Sequence, residues 1–419
     1  MLKKTFTIII SALLICSMTA CGSQNSSQSS SSAASTASDT ASQSAGASSS
    51  TEASGSSAVS GEAVSYTSKL DTTDIFSARD LEQTADTSEA RTITATDGQT
   101  VTISEGGEYI ISGTASDFTV RVEAGKSDKV QLILDGLTVT NESTPVIYVV
   151  SADKCFITTT DSENSLTVTG TFTLDGDTNT DAVIFSKDDL VLNGTGTLKV
   201  SSSTGNGISC KNDLKITGGT YEITSALDSI EAKDSLSIYD GSFVINSSKD
   251  GLHSEDSDDD SKGQIYIRSG SFNITAEDDA IEAITVIQTD GGKFELNARE
   301  GLEATYIQIN GGTFNINASD DGINGAQKSK SLGTPTIEVN GGSITIVMAQ
   351  GDTDAVDSNG DIIVNGGTFN ITATVSSFDY DGTATYNGGT IIINGTQTDS
   401  IPQPTMGGGR GNMGGPGGR

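Results

Sequence analysis

Between residues 93 and 398 the chain is written in short alternating phrases rather than in helical stripes. Aliphatic and polar positions take turns in Leu214-Lys215-Ile216, Ile265-Tyr266-Ile267, Ile307-Gln308-Ile309 and Ile337-Glu338-Val339. A period of two puts the aliphatics on one face of a strand. A turn and a second alternation follow, as in Gly218-Gly219-Thr220-Tyr221-Glu222-Ile223 and Gly311-Gly312-Thr313-Phe314-Asn315-Ile316. A third phrase completes each unit: acid, small, aliphatic, polar, as in Asp279-Ala280-Ile281-Glu282 and Glu300-Gly301-Leu302-Glu303. The step from Gly219 to Gly241, from Gly270 to Gly292 and from Gly367 to Gly389 is 22 residues. Strands and turns repeated at that period predict a solenoid whose coils cannot bury their apolar face alone.

Three short strands per coil predict an all-β fold, a right-handed parallel β-helix of about 22 residues per coil. Each strand would pair with its copy one coil away, at about 4.8 Å. A β-sandwich is the rival fold, but it has no reason to keep a fixed phrase at a fixed step. The Asn-Gly-Gly corners at Asn310, Asn340, Asn365 and Asn387 supply residues that tolerate a positive φ.

The first residues read differently. Lys3 and Lys4 precede an apolar run too short to span a membrane, and Met18-Thr19-Ala20-Cys21-Gly22 closes it. This resembles a bacterial lipoprotein signal over residues 1–21, with Cys21 as the lipidated anchor. A Ser/Ala/Thr-rich linker is expected over 22–64 and a disordered Gly-rich tail over 399–419. Residues 65–92, with Leu70, Ile75, Phe76 and Leu81 as apolar anchors, are expected to cap the first coil. The expectation is a lipid-anchored monomer on the outer face of the cell membrane. Beyond Cys16 and Cys21, only Cys155 and Cys210 remain, as a disulfide or as two buried thiols.

The formal charge of −32 excludes nucleic acid and adsorption to anionic lipid as binding partners. The acids are also not scattered. Stacked coils turn a once-per-coil residue into a column, here Asp228, Asp250, Asp279, Glu300, Asp321 and Asp354. A second column three residues on holds Glu231, Glu282, Glu303 and Asp357, interrupted by His253 and Asn324, and Asp278 and Asp320 double the first. Carboxylates about 5 Å apart repel by about 3 kcal/mol at an effective dielectric of 20. Oxygen ligands at such spacing suit Ca²⁺, which makes these twelve acids candidate metal ligands. The alternative is a solvated corner whose acids fan outward. The acidic loop from His253 to Asp260, which lengthens its coil, reads as a disordered insertion.

Further phrases carry a resemblance. Gln131-Leu132-Ile133-Leu134-Asp135-Gly136-Leu137-Thr138-Val139 is followed by Asp181-Ala182-Val183-Ile184-Phe185-Ser186 and by Asn212-Asp213-Leu214-Lys215-Ile216-Thr217-Gly218-Gly219. The series resembles the bacterial surface family of carbohydrate-binding parallel β-helices first described from cellulose-degrading clostridia, from about Asp74 to Ile393. The resemblance implies a pectate-lyase-like fold, calcium binding, and binding of acidic plant polysaccharide and cellulose without cleavage. Asp320-Asp321-Gly322-Ile323-Asn324-Gly325 fits the family's later coils. Asp228-Ser229-Ile230-Glu231 and Asp279-Ala280-Ile281-Glu282 have lost glycine and gained a carboxylate, which favours metal.

The expected function is therefore a non-catalytic, calcium-assisted binder of an acidic, pectin-like cell-wall glycan. With no Trp, the chain has a weak stacking platform for neutral glucan. A calcium-stiffened surface scaffold or adhesin is the alternative. A polysaccharide lyase is a second one, with Lys233, Lys249 or Arg299 as base; each reads better as a neutralising neighbour of the acids.

Overall fold

The computed structural model describes residues 66–351 and 353–403; the signal segment, Cys21, the linker to residue 64 and the tail from residue 404 lie outside the described residues. Among the described residues there is no helix. The 34 strands join in one continuous ladder that is parallel throughout except at its last pair. The fold is a parallel β-helix solenoid.

Three sheets run its length. The first holds the strands before each glycine turn, such as Asp213–Ile216, Ser235–Ile238 and Gln264–Ile267. The second holds those after it, such as Thr220–Ser225, Ser242–Ser247 and Lys293–Ala298. The third holds the acid phrase, in Ile230–Ala232 and Leu252–Ser254, and then in the first halves of Asp279–Thr289 and Glu300–Ile309. Register is one-to-one: Tyr221 faces Phe243, Phe243 faces Phe272, Phe272 faces Phe294, and Phe294 faces Phe314. Their rings stack nearly parallel inside the coil, at centroid spacings of 5.1, 4.7, 4.8 and 4.2 Å. That spacing is the inter-strand distance imposed on side chains, and it makes the core one unbroken column. At the far end Thr390–Ile393 folds back on Thr396–Thr398 as an antiparallel pair, which covers the last coil's edge.

The turn glycines behave as their backbone requires. Gly312 sits at φ 111°, and a Cβ there would meet Phe314 at 3.1 Å and the Gly292 carbonyl at 3.2 Å. The preceding asparagines do not take the positive φ expected of them. They stack instead: Asn340 donates to Asn310 at 2.8 Å, Asn365 to Asn340 at 2.7 Å and Asn387 to Asn365 at 2.7 Å. Glycine absorbs the bend, which frees the amides to form a ladder across coils.

The segment expected to cap the first coil lies elsewhere. It forms a strap along the first sheet, running backward from the coil of Gln308 to that of Glu108. The physical reason is a row of polar groups on that flank. Gln308 and Gln288, both fully buried, accept from the Lys69 and Leu70 amides at 2.8 Å each. Asp80, 1% exposed, pairs with Lys154 at 3.4 Å and Lys215 at 3.3 Å. Sequence alternation marked these strand positions as outward, but not that a strap would cover them.

Two smaller expectations resolve. Cys155 and Cys210 are both free and buried. The acidic insertion is ordered: Asp256 accepts from the Asp258 and Asp259 amides, and the Asp260 carbonyl accepts from Ser329 and Ser331.

Candidate metal centre

The corner leading into the third sheet gathers the acids. Register aligns Glu231, His253, Glu282, Glu303, Asn324 and Asp357 in one row. Asp279 pairs with Glu300, and Asp321 with Asp354, in the row beside it. The acids do not fan outward: Asp228, Asp250, Asp279, Glu300 and Glu303 are all under 9% exposed.

Three groups of oxygens and one nitrogen converge, each with its ligand atoms within 4.8 Å of one another. They are Asp228/Asp250/His253, Asp250/Asp279/Glu282 and Asp279/Glu300/Glu303. Because Asp250 and Asp279 are shared, the groups form one chain of sites climbing the coils. The carboxylates divide their oxygens between two tasks. Asp228 Oδ1 accepts from the Asp250 amide at 3.2 Å, and Asp250 Oδ1 from the Asp279 amide at 3.0 Å. That is a structural role, in which each acid satisfies the backbone of its copy one coil on. Asp250 Oδ2 is buried and takes no hydrogen bond; Lys249 Nζ lies 3.1 Å from it. An ionised oxygen so placed is costly without a cation, and the Lys249 ammonium supplies one.

The electrostatics differ from group to group. Burial raises the Asp228 carboxyl, but the hydrogen bond and charge of His253, with Lys249 nearby, outweigh it and hold the pKa at about 2. Burial likewise disfavours the His253 cation, yet Asp228 and Glu255 carry that ring up to about 10. This first group is thus closed by protein cations and suits Ca²⁺ poorly, since a ring nitrogen is not a hard oxygen donor. The upper groups are more frustrated. Burial, then Glu300 and Glu303, push Asp279 up to about 10. Burial, then Glu282 and Asp228, push Asp250 up to about 7. Glu282 goes the other way: burial raises it, but His253 and Lys328 outweigh burial. Asp279 thus favours its protonated form, in a group whose three ligand residues all offer carboxylate oxygens, with Arg299 beside Asp279 and Glu300 and Lys328 on Glu303. Those residues fit Ca²⁺ by donor type and number.

The remaining sequence candidates are placed as follows. Asp278 and Asp320 sit outside the groups and flank Arg299, which also reaches Glu300 at 2.6 Å and Asp279 at 3.4 Å. Glu231 is taken up by Lys211 at 2.9 Å and by Ser209 and Asn206. Asp321 and Asp357 continue the rows without joining a three-ligand group among the described residues. Burial and then neighbouring acids, chiefly Asp357 for Asp321 and Asp354 for Asp357, push them up to about 8 and about 7. Asp354 donates its amide to Asp321 Oδ1 at 3.3 Å. Sequence reasoning missed Lys328, whose ammonium joins Glu282 and Glu303. Its only signal was the lengthened coil between Ile323 and Ile337. His253, which interrupts the second acid column in the sequence, is 5% exposed within the acid row.

Comparison with known proteins adds a family. The family described as carbohydrate-binding domain-containing protein matches residues 97–353 and 302–400. A carbohydrate-binding domain-containing protein of Acetivibrio thermocellus is 30% identical over 126 residues, which span 29% of this chain and 44% of that relative. The solved structure of the polysaccharide lyase-like protein from C. thermocellum, a gadolinium derivative, aligns with a TM-score of 0.46 at 28% identity, covering 54% of this chain and 93% of that one. With the match running from residue 97 to residue 400, the chain belongs to the family of carbohydrate-binding domain-containing proteins.

Proposed function

We propose that this protein is a non-catalytic binder of an acidic polysaccharide, assisted by Ca²⁺ and displayed outside the cell from a lipidated Cys21. The observation that carries the reading is the Asp279/Glu300/Glu303 group, three buried carboxylates converging within 4.8 Å. Ca²⁺ takes six to eight oxygens, so these side chains leave coordination positions that a uronate carboxylate can fill. The half-buried acids Asp278 and Asp320 mark the rim of the same corner.

Cleavage is not part of the proposal. β-Elimination needs a base free to take a proton, and each cationic candidate is engaged. Lys249 lies 3.0 Å from Asp228 and 3.1 Å from Asp250, Lys233 3.2 Å from Asp256 and 2.8 Å from Asp258, and Arg299 is shared among four acids. A second reading, a calcium-stiffened scaffold, is favoured by the carboxylate-to-amide ladder, which builds the fold whether or not a glycan binds. A glycan array probed with and without chelator separates the two. Signal on uronate polymers that disappears in chelator supports the binder. An empty array, with a melting temperature that still falls in chelator, supports the scaffold.

A further inference from the structure

The strap does more than cover a flank. It is pinned at two places, by Gln308 and Gln288 near residue 69 and by the Asp80 ion pairs near residue 80. Between the pins it bridges the first sheet. Phe76 meets Tyr239 edge-on at 5.3 Å and leans on Tyr266 at 6.3 Å. The cleft left beside this bridge has a volume of about 600 Å³ and is lined by those three rings, Arg268, Asp290 and Thr72. That volume lies within the range of small-molecule sites.

Arg268 stands apart from the chain's other arginines. Among the described residues Arg79, Arg91, Arg121 and Arg299 each pair with a carboxylate, while the Arg268 guanidinium forms no ion pair or hydrogen bond and only the Arg268 backbone amide is bonded, to the Ile238 carbonyl at 2.8 Å. In a chain with 55 acids against 23 basic residues, a guanidinium without an acid partner is unexpected. Its guanidinium carbon lies 4.3 Å from the centroid of the Tyr239 ring, and the exposed side chain keeps N–H donors available to a ligand. Asp290 faces the same cleft as a fixed acceptor. Its Oδ2 takes the Tyr266 hydroxyl at 2.7 Å, and its Oδ1 takes Gln288 at 3.2 Å and Asn310 at 2.8 Å. These bonds orient the carboxylate and leave further lone-pair capacity.

Aromatic rings beside an unpaired donor fork and an oriented acceptor match a particular chemistry. A pyranose has an apolar C–H face and a rim of hydroxyls that each donate and accept. A uronate would bring its own carboxylate against Asp290, which favours an uncharged sugar. We propose that this cleft is a saccharide subsite for a neutral pyranose residue, held against Tyr239 and Phe76 by Arg268 and Asp290. It lies on the first sheet, while the acid groups lie at the third, so it works without calcium. The ligand class rests on the family membership, and the site does not rest on the calcium reading.

The test is calorimetric titration of the full chain with neutral hexaoses of glucose, xylose and mannose, and with hexagalacturonate, each in calcium and in chelator. At least one neutral hexaose is expected to bind with the same affinity in both buffers. Arg268→Ala and Tyr239→Ala are expected to weaken it tenfold or more. Because Arg268 is exposed, its variant should melt with the parent and leave hexagalacturonate binding unchanged. Retained neutral-sugar affinity in both variants overturns the subsite, as does the absence of any neutral-sugar binding by the parent. Loss of hexagalacturonate binding alone counts against the calcium-assisted reading and leaves the subsite standing.

Discussion

Replacing Asp279 by Asn removes one carboxylate from the most crowded point of the corner. In the calcium-free chain this carboxyl is 2% exposed and shares its site with Glu300 and Glu303. Burial and those two acids lift it from an ordinary 3.8 to about 10. The sign follows from linkage. The folded value is above the unfolded one, so the group's contribution to stability is complete below about pH 4 and is lost progressively as pH rises toward 10. At pH 7 about three units of that interval have been crossed, a cost on the order of 4 kcal/mol at 1.36 kcal/mol per unit. The Arg299 guanidinium at 3.4 Å offsets part of this, so the figure is an upper bound. Asparagine keeps the shape and cannot ionise. In chelator at pH 7 the Asp279→Asn variant should therefore melt above the parent. In calcium the order should reverse, because stabilisation by a bound ion scales with its affinity and the variant has lost a ligand. Calorimetric melting of both chains in both buffers reads the crossover. A variant that melts below the parent in chelator refutes the reasoning, since it would mean that the Arg299 pairing already satisfies the carboxylate.

Other outcomes follow from the same geometry. Phe294→Ala empties the middle of the ring column, between neighbours at 4.8 and 4.2 Å, and should cost about 3–5 kcal/mol in denaturant unfolding; a loss under 1 kcal/mol would deny the stack its role. The lone histidine gives an unambiguous NMR signal, and His253 should titrate near pH 10 rather than 6.5, its stabilising charge present below 6.5 and lost as pH climbs through 10. A midpoint near 6.5 would contradict the Asp228 contact. Asp80→Ala leaves Lys154 and Lys215 without their shared buried anion and should cost about 3 kcal/mol. It should also speed tryptic cleavage after Lys69 and Arg79; an unchanged digestion rate would show that the strap is held elsewhere.

The repeat phrase made the solenoid legible because a parallel β-helix translates sequence period directly into space. Phe243, Phe272 and Phe294 are once-per-coil residues, and they became a once-per-coil stack. The acid rows were legible for the same reason. What periodicity does not carry is anything that crosses coils out of phase. The strap pairs Lys69 with Gln308 and Asp80 with Lys215, contacts set by complementarity between distant segments. Lys328 reaches two acids from an irregular loop, and no repeat announces it. The Asn-Gly-Gly corners carry their positive φ on the second glycine, and the stacking of their asparagines is a cross-coil contact that local φ preference does not announce.

The central claim, a calcium-assisted binder of acidic glycan, is tested most directly by titrating polygalacturonate into the full chain in calcium, in chelator, and in calcium restored after chelation. The account predicts binding that disappears in chelator, returns with calcium, weakens tenfold or more in Glu303→Gln, and leaves the polymer uncleaved. Binding of equal affinity with and without chelator would contradict it, as would no binding at all in calcium.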